Sequence, residues 1–225
     1  MEEGLEYELM KLDLHVHTEL SHDSVIRLGE IAPLVRSRGL SGLAITDHNR
    51  TWSGNLPEGE GIVVIPGIEA RTKSYEIIGL FVTDLPRRPD PMEVIDDIHS
   101  QSGIAVLPHP YAFPRRAPSG SAGLKEVASK VDAIEVFNAR NLTLAQNLKA
   151  KALAEALGKA EVAGSDAHTP GELGMAYTVI RSAHTYQEVY ERIRRRETYA
   201  QGSLSPPSVH LKSFAMSFMK RLRTT

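Results

Sequence analysis

The 225-residue chain contains no cysteine. This absence excludes disulfide bonds, thiolate nucleophiles and cysteine-built zinc sites, so any metal chemistry must use histidine, aspartate and glutamate. Long apolar runs are also missing, since no stretch reaches the roughly 18 apolar residues of a membrane-spanning helix. The opening residues, MEEGLEYELM, are acidic and lack the apolar core of a signal peptide. We therefore expect no membrane span, no secretion and a cytoplasmic location.

The chain also lacks a strong charge of either sign. Its formal net charge is -2 at pH 7, which gives no general electrostatic reason to expect nucleic acid as a partner. With 41% hydrophobic and 24% charged residues, the chain is long enough to bury one sizeable core. We expect one main domain rather than two. The sequence carries no signal for an oligomeric state.

Six short segments are apolar at first and then turn abruptly polar. They read LDLHVHT (12–18), AITDHN (44–49), VIPGIEA (64–70), AVLPHP (105–110), AIEVFN (133–138) and VAGSDAH (162–168). Together with YEIIGLFV they predict about seven strands, and helix-like segments alternate with most of them. Repeated βα units imply a mainly parallel sheet that can close into a barrel. The loops at the carboxyl ends of such strands converge on one site.

The spacing of the histidines fits a strand, in which successive side chains alternate between faces. Asp13, His15 and His17 are therefore expected to point into the barrel mouth, and Asp166 and His168 repeat this spacing. A single histidine in a strand is more often a hydrogen-bonded core residue. Six polar strand ends in one chain make that explanation improbable for the whole set. Imidazoles and carboxylates gathered without cysteine indicate divalent metal ions.

The motifs DLHVHT, TDH, GIE, PHP and SDAH, in this order, closely resemble those of the PHP superfamily, the polymerase and histidinol phosphatase group of metal-dependent phosphoesterases. The resemblance spans roughly residues 11–200. It implies an α/β fold, a distorted (β/α)7 TIM-like barrel, carrying two or three divalent ions (Zn, Mn or Fe). We expect an N-terminal extension at 1–10, the phosphoesterase domain at 11–202 and a basic amphipathic tail at 203–225.

The resemblance implies three ion positions with nitrogen and oxygen ligands. The first two would share Glu69 as a bridge, and their ligands would be His15, His17, Glu69, Asp166 and His109. The third would be surrounded by His22, His48 and His168. His168, Asp166 and Glu69 are the expected catalytic residues.

Two departures from the family pattern leave alternatives open. Where the family often has SDG, this chain has Ser21-His22-Asp23-Ser24, so either His22 or Asp23 is the ligand, and register favours His22. Glu76 stands where related sequences frequently have a histidine. It is either an oxygen ligand to the second ion or an exposed strand carboxylate, with equal weight.

Other polar residues near the motifs are expected to orient ligands or to bind substrate. Asp13 and Asp47 would orient the histidines, with a strand-end carboxylate satisfied by backbone as the alternative. Arg115 and Arg116 follow PHPYAF, where a guanidinium could clamp a phosphate, although a solvated loop arginine is the commoner outcome.

Asn138 and Arg140 follow another barrel strand and could bind the substrate. Glu135 on that strand, taken to share a face with Phe137, is interpreted as structural.

The expected function is hydrolysis of a phosphomonoester or phosphodiester by a metal-activated water, with a metal or His168 assisting the leaving group. A small-molecule phosphoester ranks first as the substrate. A nuclease acting on DNA or RNA ends ranks second. The nucleic-acid backbone would then contact Arg87, Arg88, Arg115, Arg116 and the basic tail. A non-catalytic metal-binding module ranks third. The apolar side of the tail is expected to pack on the chain's own barrel.

Overall fold

The computed structural model describes residues 9–52, 61–84, 87–112, 120–181, 185–206 and 208–209. Its strands are β1 (Leu9–Val16), β2 (Gly42–Ile45), β3 (Val63–Arg71), β4 (Glu76–Leu80), β5 (Ile104–Leu107), β6 (Ala133–Asn138), β7 (Ala160–Gly164), β8 (Ala176–Arg181) and β9 (Thr198–Gly202). Its helices are α1 (Ile31–Ser37), which follows a 3-10 turn, α2 (Pro91–Ser100), α3 (Gly120–Lys130), α4 (Leu144–Leu157) and α5 (Tyr186–Arg194).

The first eight strands form a closed barrel, since they are hydrogen-bonded in sequence order and β8 also pairs with β1. Strands β4 and β8 run antiparallel to their barrel neighbours, and the other six run parallel to one another. These six are the strands that the polar-ended segments predict, so their carboxyl ends meet at one rim. The predicted distorted TIM-like α/β barrel is confirmed.

The closing strand β8 and its neighbour β9 were not predicted. No helix separates β7 from β8, so the βα alternation that indicates the earlier strands stops there. Pairing of β9 with β8 extends the sheet beyond the barrel. The barrel therefore has eight strands where the family pattern leads us to expect seven.

Local sequence explains where the helices begin and end. Asp90 accepts a hydrogen bond from the backbone N–H of Met92 at 2.8 Å, and Pro91 follows it at the first helical position of α2. Thr143 and Gln146 form a capping box at the start of α4, and Gly158 ends that helix with a φ of 59°. None of the helices in the described ranges is both long and apolar enough to cross a membrane.

Apolar side chains from all eight barrel strands fill the barrel interior. The cluster includes Leu12, Leu14, Ile65 and Ile180, and Val189 of α5 joins it. A second cluster packs α2, α3 and α4 against the outside of β3 to β6. Burial of this apolar surface is the main favourable term that holds the barrel together.

The alternation expected along β1 does not hold. Between Asp13 and Val16, β1 has one more residue than the facing stretch of β2, which is a β-bulge. Leu12 and Leu14 therefore lie in the barrel interior, whereas Val16 packs on the opposite side near α1. The bulge turns His15 toward the barrel mouth and leaves Asp13 on the other face.

A second bulge, in β6 between Glu135 and Phe137, has the same effect. Glu135 lies inside the barrel, while Phe137 packs with Ala163 and Met175 in a separate cluster. The expectation that these two residues share a face is therefore wrong.

Candidate metal centre

His15 and His17 present two imidazole nitrogens to the same point at the barrel mouth. Their Nε2 atoms lie 3.1 Å apart, and both residues are at most 1% exposed. Two nitrogens bound to one tetrahedral zinc ion at about 2.0–2.1 Å would lie about 3.3 Å apart. The spacing of these two nitrogens therefore suits a shared ion.

The other ring nitrogen of each histidine is held by a protein acceptor. Nδ1 of His15 lies 2.9 Å from Oε1 of Glu135, and Nδ1 of His17 lies 3.2 Å from Oγ of Ser21. Ser21 donates its own hydroxyl proton to Asp47 at 2.6 Å, so it must accept from His17. These contacts place the proton of each neutral ring on Nδ1 and leave Nε2 as the ligand atom.

Two buried carboxylates complete this first group. Glu69 places Oε1 3.4 Å from Nε2 of His15 and Oε2 3.5 Å from Nε2 of His17. Oδ1 of Asp166 lies 3.7 and 3.4 Å from the same two nitrogens. The structure thus brings together all four residues that the resemblance assigns to the first ion.

Glu69 also reaches the group expected to hold a second ion. Its Oε1 lies 3.0 Å from Nε2 of His109, and Oε2 of Glu76 lies 3.7 Å from the same nitrogen. The other oxygen of Glu76 pairs with Nε of Arg71 at 3.0 Å. His48, Glu69 and Glu76 offer ligand atoms within 4.8 Å of one another. Glu76 therefore lies at the site rather than on an exposed strand face.

The third group contains His48, His168 and Asp23. Oδ2 of Asp23 lies 3.5 Å from Nε2 of both histidines. The side chain of His22 is 47% exposed, and its ring centroid lies 5.7 Å from that of His48. The preference for His22 from sequence register thus has weaker geometric support than the alternative, Asp23.

Two candidate ligands, and a residue next to a third, have a strained backbone. His109 and Asp166 have φ values of 27° and 55°, and Asn49, directly after His48, has a φ of 51°. Non-glycine residues with positive φ are uncommon and persist where the surrounding structure holds them. These residues lie two to four positions after the ends of parallel barrel strands, in the loops that form the barrel mouth.

Asp47 and Asp13 organise loops rather than contact imidazole rings directly. Asp47 accepts hydrogen bonds from the backbone N–H groups of Thr18 and Ser21 at 2.7 and 3.1 Å. Asp13 accepts from the backbone N–H groups of Ser165 and Gly174 at 2.8 and 3.0 Å. Asp13 therefore fixes the loop that carries Asp166, and Asp47 reaches His17 only through Ser21. Burial raises the pKa of Asp13 to about 6, although these hydrogen bonds oppose the rise.

The centre concentrates negative charge. Among the described residues the buried carboxylates are Asp13, Asp47, Glu69, Glu135, Asp166 and Glu172, whereas the buried guanidinium is that of Arg140. The buried Oε2 of Glu69 lies 2.7 Å from Nδ1 of His48, but the two atoms are not aligned as a hydrogen bond in the described part of the chain. Buried carboxylates need compensating positive charge, and divalent ions bound among these oxygens and imidazoles would supply it. The donor set fits such ions.

The rings differ in their protonation equilibria. Burial and the neighbouring charges of His168 and His48 hold the pKa of His17 well below its usual range, which favours the neutral ligand form. Burial lowers the pKa of His48, but the charges of Glu69 and Asp23 outweigh it and raise that pKa to about 10. Burial opposes ionisation of Glu69, yet His48, His15 and His109 together hold its pKa well below its usual range.

The expected substrate-binding residues have different positions. Asn138 is buried, and its amide donates to Glu135 at 3.0 Å and to Asp166 at 3.4 Å, so it braces two carboxylates. Arg140 contacts Nδ1 of His168, lies 3.5 Å from Glu172 and lines the cleft. Residues 115 and 116 lie outside the described residues.

Three site residues were not predicted. Glu135 is interpreted from the sequence as structural, although it sits at a polar strand end like the candidate ligands. Ser21 lies inside the motif that contains His22, but a serine gives no signal of its own. Glu172 accepts from the backbone N–H groups of His168 and Thr169 at 3.2 and 2.9 Å, and no sequence pattern indicated it.

A cleft of about 530 Å³ opens above the centre. Its walls carry five of the candidate ligands, His48, His109, His168, Asp23 and Glu76. Arg71, Thr72, Ser74, Tyr75 and Arg140 extend the lining. A polar cleft beside convergent imidazoles and carboxylates is the arrangement of a substrate site.

The fold and the site define a class of protein, a TIM-like α/β barrel with a histidine and carboxylate centre at the carboxyl ends of its parallel strands. The PHP domain family matches residues 13–107, and the PHP-associated family matches residues 145–198. An uncharacterized protein of Methanocaldococcus jannaschii is 36% identical over 172 residues, which cover 75% of this chain and 69% of that protein. The chain belongs to the PHP family.

Solved structures share the fold at low sequence identity. A two-domain protein from Bacteroides vulgatus, which contains a predicted PHP-like metal-dependent phosphoesterase, matches with a TM-score of 0.69 and 17% identity over 93% of this chain and 70% of that one. PsfC from Pseudomonas syringae matches with a TM-score of 0.68 and 21% identity over 94% of this chain and 99% of that one. Both agree with the barrel described above.

Proposed function

We propose that this chain is a metal-dependent phosphoesterase that hydrolyses a phosphomonoester or phosphodiester of a small molecule. The observation that carries the proposal is the convergence of His15, His17, Glu69 and Asp166 in a buried centre with an excess of carboxylates. Family membership supports the same reading.

The residues would divide among three ions, of which zinc, manganese and iron are the candidates. The first would be held by His15, His17, Glu69 and Asp166, and the second by Glu69, His109 and Glu76. The third would be held by His48, His168 and Asp23, in preference to His22. When bound, such ions neutralise phosphoryl oxygens and lower the pKa of water to about 7, so that hydroxide is available near neutral pH.

The protein's own groups orient the ligands and the substrate. His168 places Nδ1 2.8 Å from the carbonyl oxygen of Asp166, which leaves Nε2 directed at Asp23. We therefore assign Nε2 of His168 to ion binding rather than to proton donation. Arg140 lies beside His168 in the cleft wall, where its guanidinium would contact a phosphoryl oxygen.

The nuclease alternative finds little support among the described residues. Arg88 pairs with Asp97 at 2.9 Å, and neither Arg87 nor Arg88 lines the cleft. Residues 115 and 116 and the segment 210–225 fall outside the described ranges. A non-catalytic module is disfavoured because the chain keeps nearly all of the candidate ligands, and their ligand atoms lie close together.

The test is hydrolysis of a panel of phosphomonoesters, phosphodiesters and short oligonucleotides. The chelated protein is assayed alone and after restoration of Mn, Zn or Fe, and bound ions are counted by elemental analysis. We expect at least two ions per chain and metal-dependent release of phosphate from a small ester. Asp166→Asn serves as the inactive control. Fewer than one ion per chain after reloading would overturn the multinuclear centre, and turnover confined to oligonucleotides would establish the nuclease instead.

A further inference from the structure

Glu135 connects opposite parts of the candidate metal centre. It lies on β6, is 2% exposed and does not line the cleft. Its Oε1 accepts a hydrogen bond from Nδ1 of His15 at 2.9 Å. Its Oε2 accepts from the backbone N–H of His109 at 2.8 Å and from the amide of Asn138 at 3.0 Å. Because β6 and β1 are not neighbours in the sheet, the contact with His15 crosses the barrel.

We propose that Glu135 is a positioning residue that holds the ligands of two ion positions at once, His15 for the first and His109 for the second. This inference rests on the proposed metal centre. The inference goes beyond the proposed metal centre, because it assigns a role to a carboxylate that is not itself a ligand. This carboxylate would hold the two ion positions together.

The contact with His15 fixes which ring nitrogen is free. A carboxylate oxygen can only accept, so it requires the proton on Nδ1 and keeps Nε2 available for an ion. That Nε2 faces His17, Glu69 and Asp166 at 3.1, 3.4 and 3.7 Å. Without the carboxylate, the ring can rotate or carry its proton on Nε2, and either change removes a ligand from the first position.

The contact with His109 fixes a strained backbone. His109 has a φ of 27° and stands between Pro108 and Pro110. Neither Pro108 nor Pro110 has a backbone N–H, so among these three residues His109 alone can donate a backbone hydrogen bond, and it donates to Glu135. Its hydrogen bond to an ionised carboxylate is of the stronger kind, and it keeps the ring of His109 beside Glu69.

An amide cannot replace these contacts. Glu135 accepts from three donors with two oxygens. A glutamine has one oxygen and two N–H donors, so in either orientation its NH2 group faces a donor. Glu135→Gln therefore breaks the link to His15 or the link to His109 while preserving side-chain volume.

The experiment compares ion affinity in Glu135→Gln and in a matched control, Glu161→Gln. Glu161 lies on the adjacent strand β7, and its carboxylate pairs with Lys151 away from the centre. Chelator competition with Zn and Mn is expected to show about 10- to 100-fold weaker binding at the first two positions of Glu135→Gln. An ion at His48, His168 and Asp23 should remain, and Glu161→Gln should match wild type.

A second measurement needs no variant. Nitrogen-15 NMR of the zinc-loaded wild type is expected to show His15 protonated at Nδ1 and coordinated through Nε2. This measurement tests the role of the contact between Glu135 and His15 even where Glu135→Gln fails to fold. Coordination through Nδ1 would overturn the inference, as would wild-type affinity at all positions of a folded Glu135→Gln. A wild-type protein that binds no ion would instead contradict the proposed metal centre itself.

Discussion

Glu69 lies between His48 and His109, with one carboxylate oxygen 2.7 Å from Nδ1 of His48 and the other 3.0 Å from Nε2 of His109. The two oxygens of Glu69 therefore contact histidines that the proposal assigns to different ion positions. A carboxylate in this place can bridge two cations that would otherwise repel each other. Its two neighbours come from different strand ends, so Glu69 also joins separate parts of the barrel mouth.

Replacement of Glu69 by glutamine should abolish most of the activity while the fold survives. The amide keeps the size of the side chain but removes the charge between two cations, so we expect at least about a 100-fold fall in turnover and loss of bound metal. Circular dichroism and elemental analysis separate loss of metal from loss of structure. Glu155→Gln, on the exposed side of α4, is the control and should behave as wild type. A folded Glu69→Gln protein with normal activity would show that the bridge is assigned wrongly.

The sequence predicts the strands of this barrel better than its closure. The six polar-ended segments all form parallel strands, and each buries an apolar stretch before its polar residues, which is a local pattern. The strand β8 has no helix before it, and its role depends on pairing with β1 far away in sequence. Pairing between distant segments leaves no periodic signal in either of them.

The candidate ligands were likewise easier to predict than the residues that hold them in place. His15, His109 and Asp166 stand in short motifs, so their spacing reveals them. The position of Asp13 depends on a β-bulge, which shifts side chains between faces without any marker in the motif. Glu135 likewise acquires its role from the strand opposite, at a sequence separation of 120 residues from its partner.

Alanine at position 164 should disturb the first ion position through the backbone. A Cβ atom on Gly164 would lie 2.3 Å from Cβ of His15 and 2.7 Å from its backbone nitrogen. The strands must separate to relieve this overlap, which should cost about 1–3 kcal/mol of stability and displace the His15 ring. Thermal unfolding and zinc affinity should both fall.

Gly171→Ala provides the control for this substitution. The nearest atom to its added Cβ is Oγ1 of Thr169 at 4.0 Å, so a change within about 0.5 kcal/mol is expected. Equal stability and equal zinc affinity in the two alanine variants would contradict the close approach of Gly164 to His15.

Ion binding should strengthen as the pH rises through the neutral range. Burial alone would lower the pKa of His48, but Glu69 and Asp23 raise it to about 10 in the metal-free protein. The raised pKa of His48 stabilises the metal-free fold. This stabilisation is fully present below about pH 6.5, the pKa of the ring in the unfolded chain, and it is lost as the pH rises through the pKa of the folded protein. Between these limits the ring is protonated, so an ion must displace that proton.

The expected dependence is about a tenfold gain in affinity per pH unit for each displaced proton. Calorimetry in buffers of different ionisation enthalpy measures the released protons directly. Glu69 and Asp23 have depressed pKa values, so they stay ionised across this range and add no dependence of their own. Affinity that is constant between about pH 6.5 and 9 would contradict the assignment of His48 as a protonated ligand that ions must displace.

Separate substitution of the adjacent residues Asp23 and His22 should identify the third-position ligand. The histidines His48 and His168 both place Nε2 3.5 Å from Asp23, and their charges hold the pKa of Asp23 well below its usual range even though burial opposes this. Asp23→Asn keeps the shape but weakens the oxygen ligand, so we expect one ion fewer per chain and about 10- to 100-fold lower turnover. His22→Gln changes a half-exposed ring and should retain both ion content and activity. Elemental analysis alongside the phosphatase assay tests the pair. The opposite result, loss of an ion in His22→Gln and full occupancy in Asp23→Asn, would identify His22 as the ligand, as sequence register favours. The loop would then have to turn His22 inward when the ion binds.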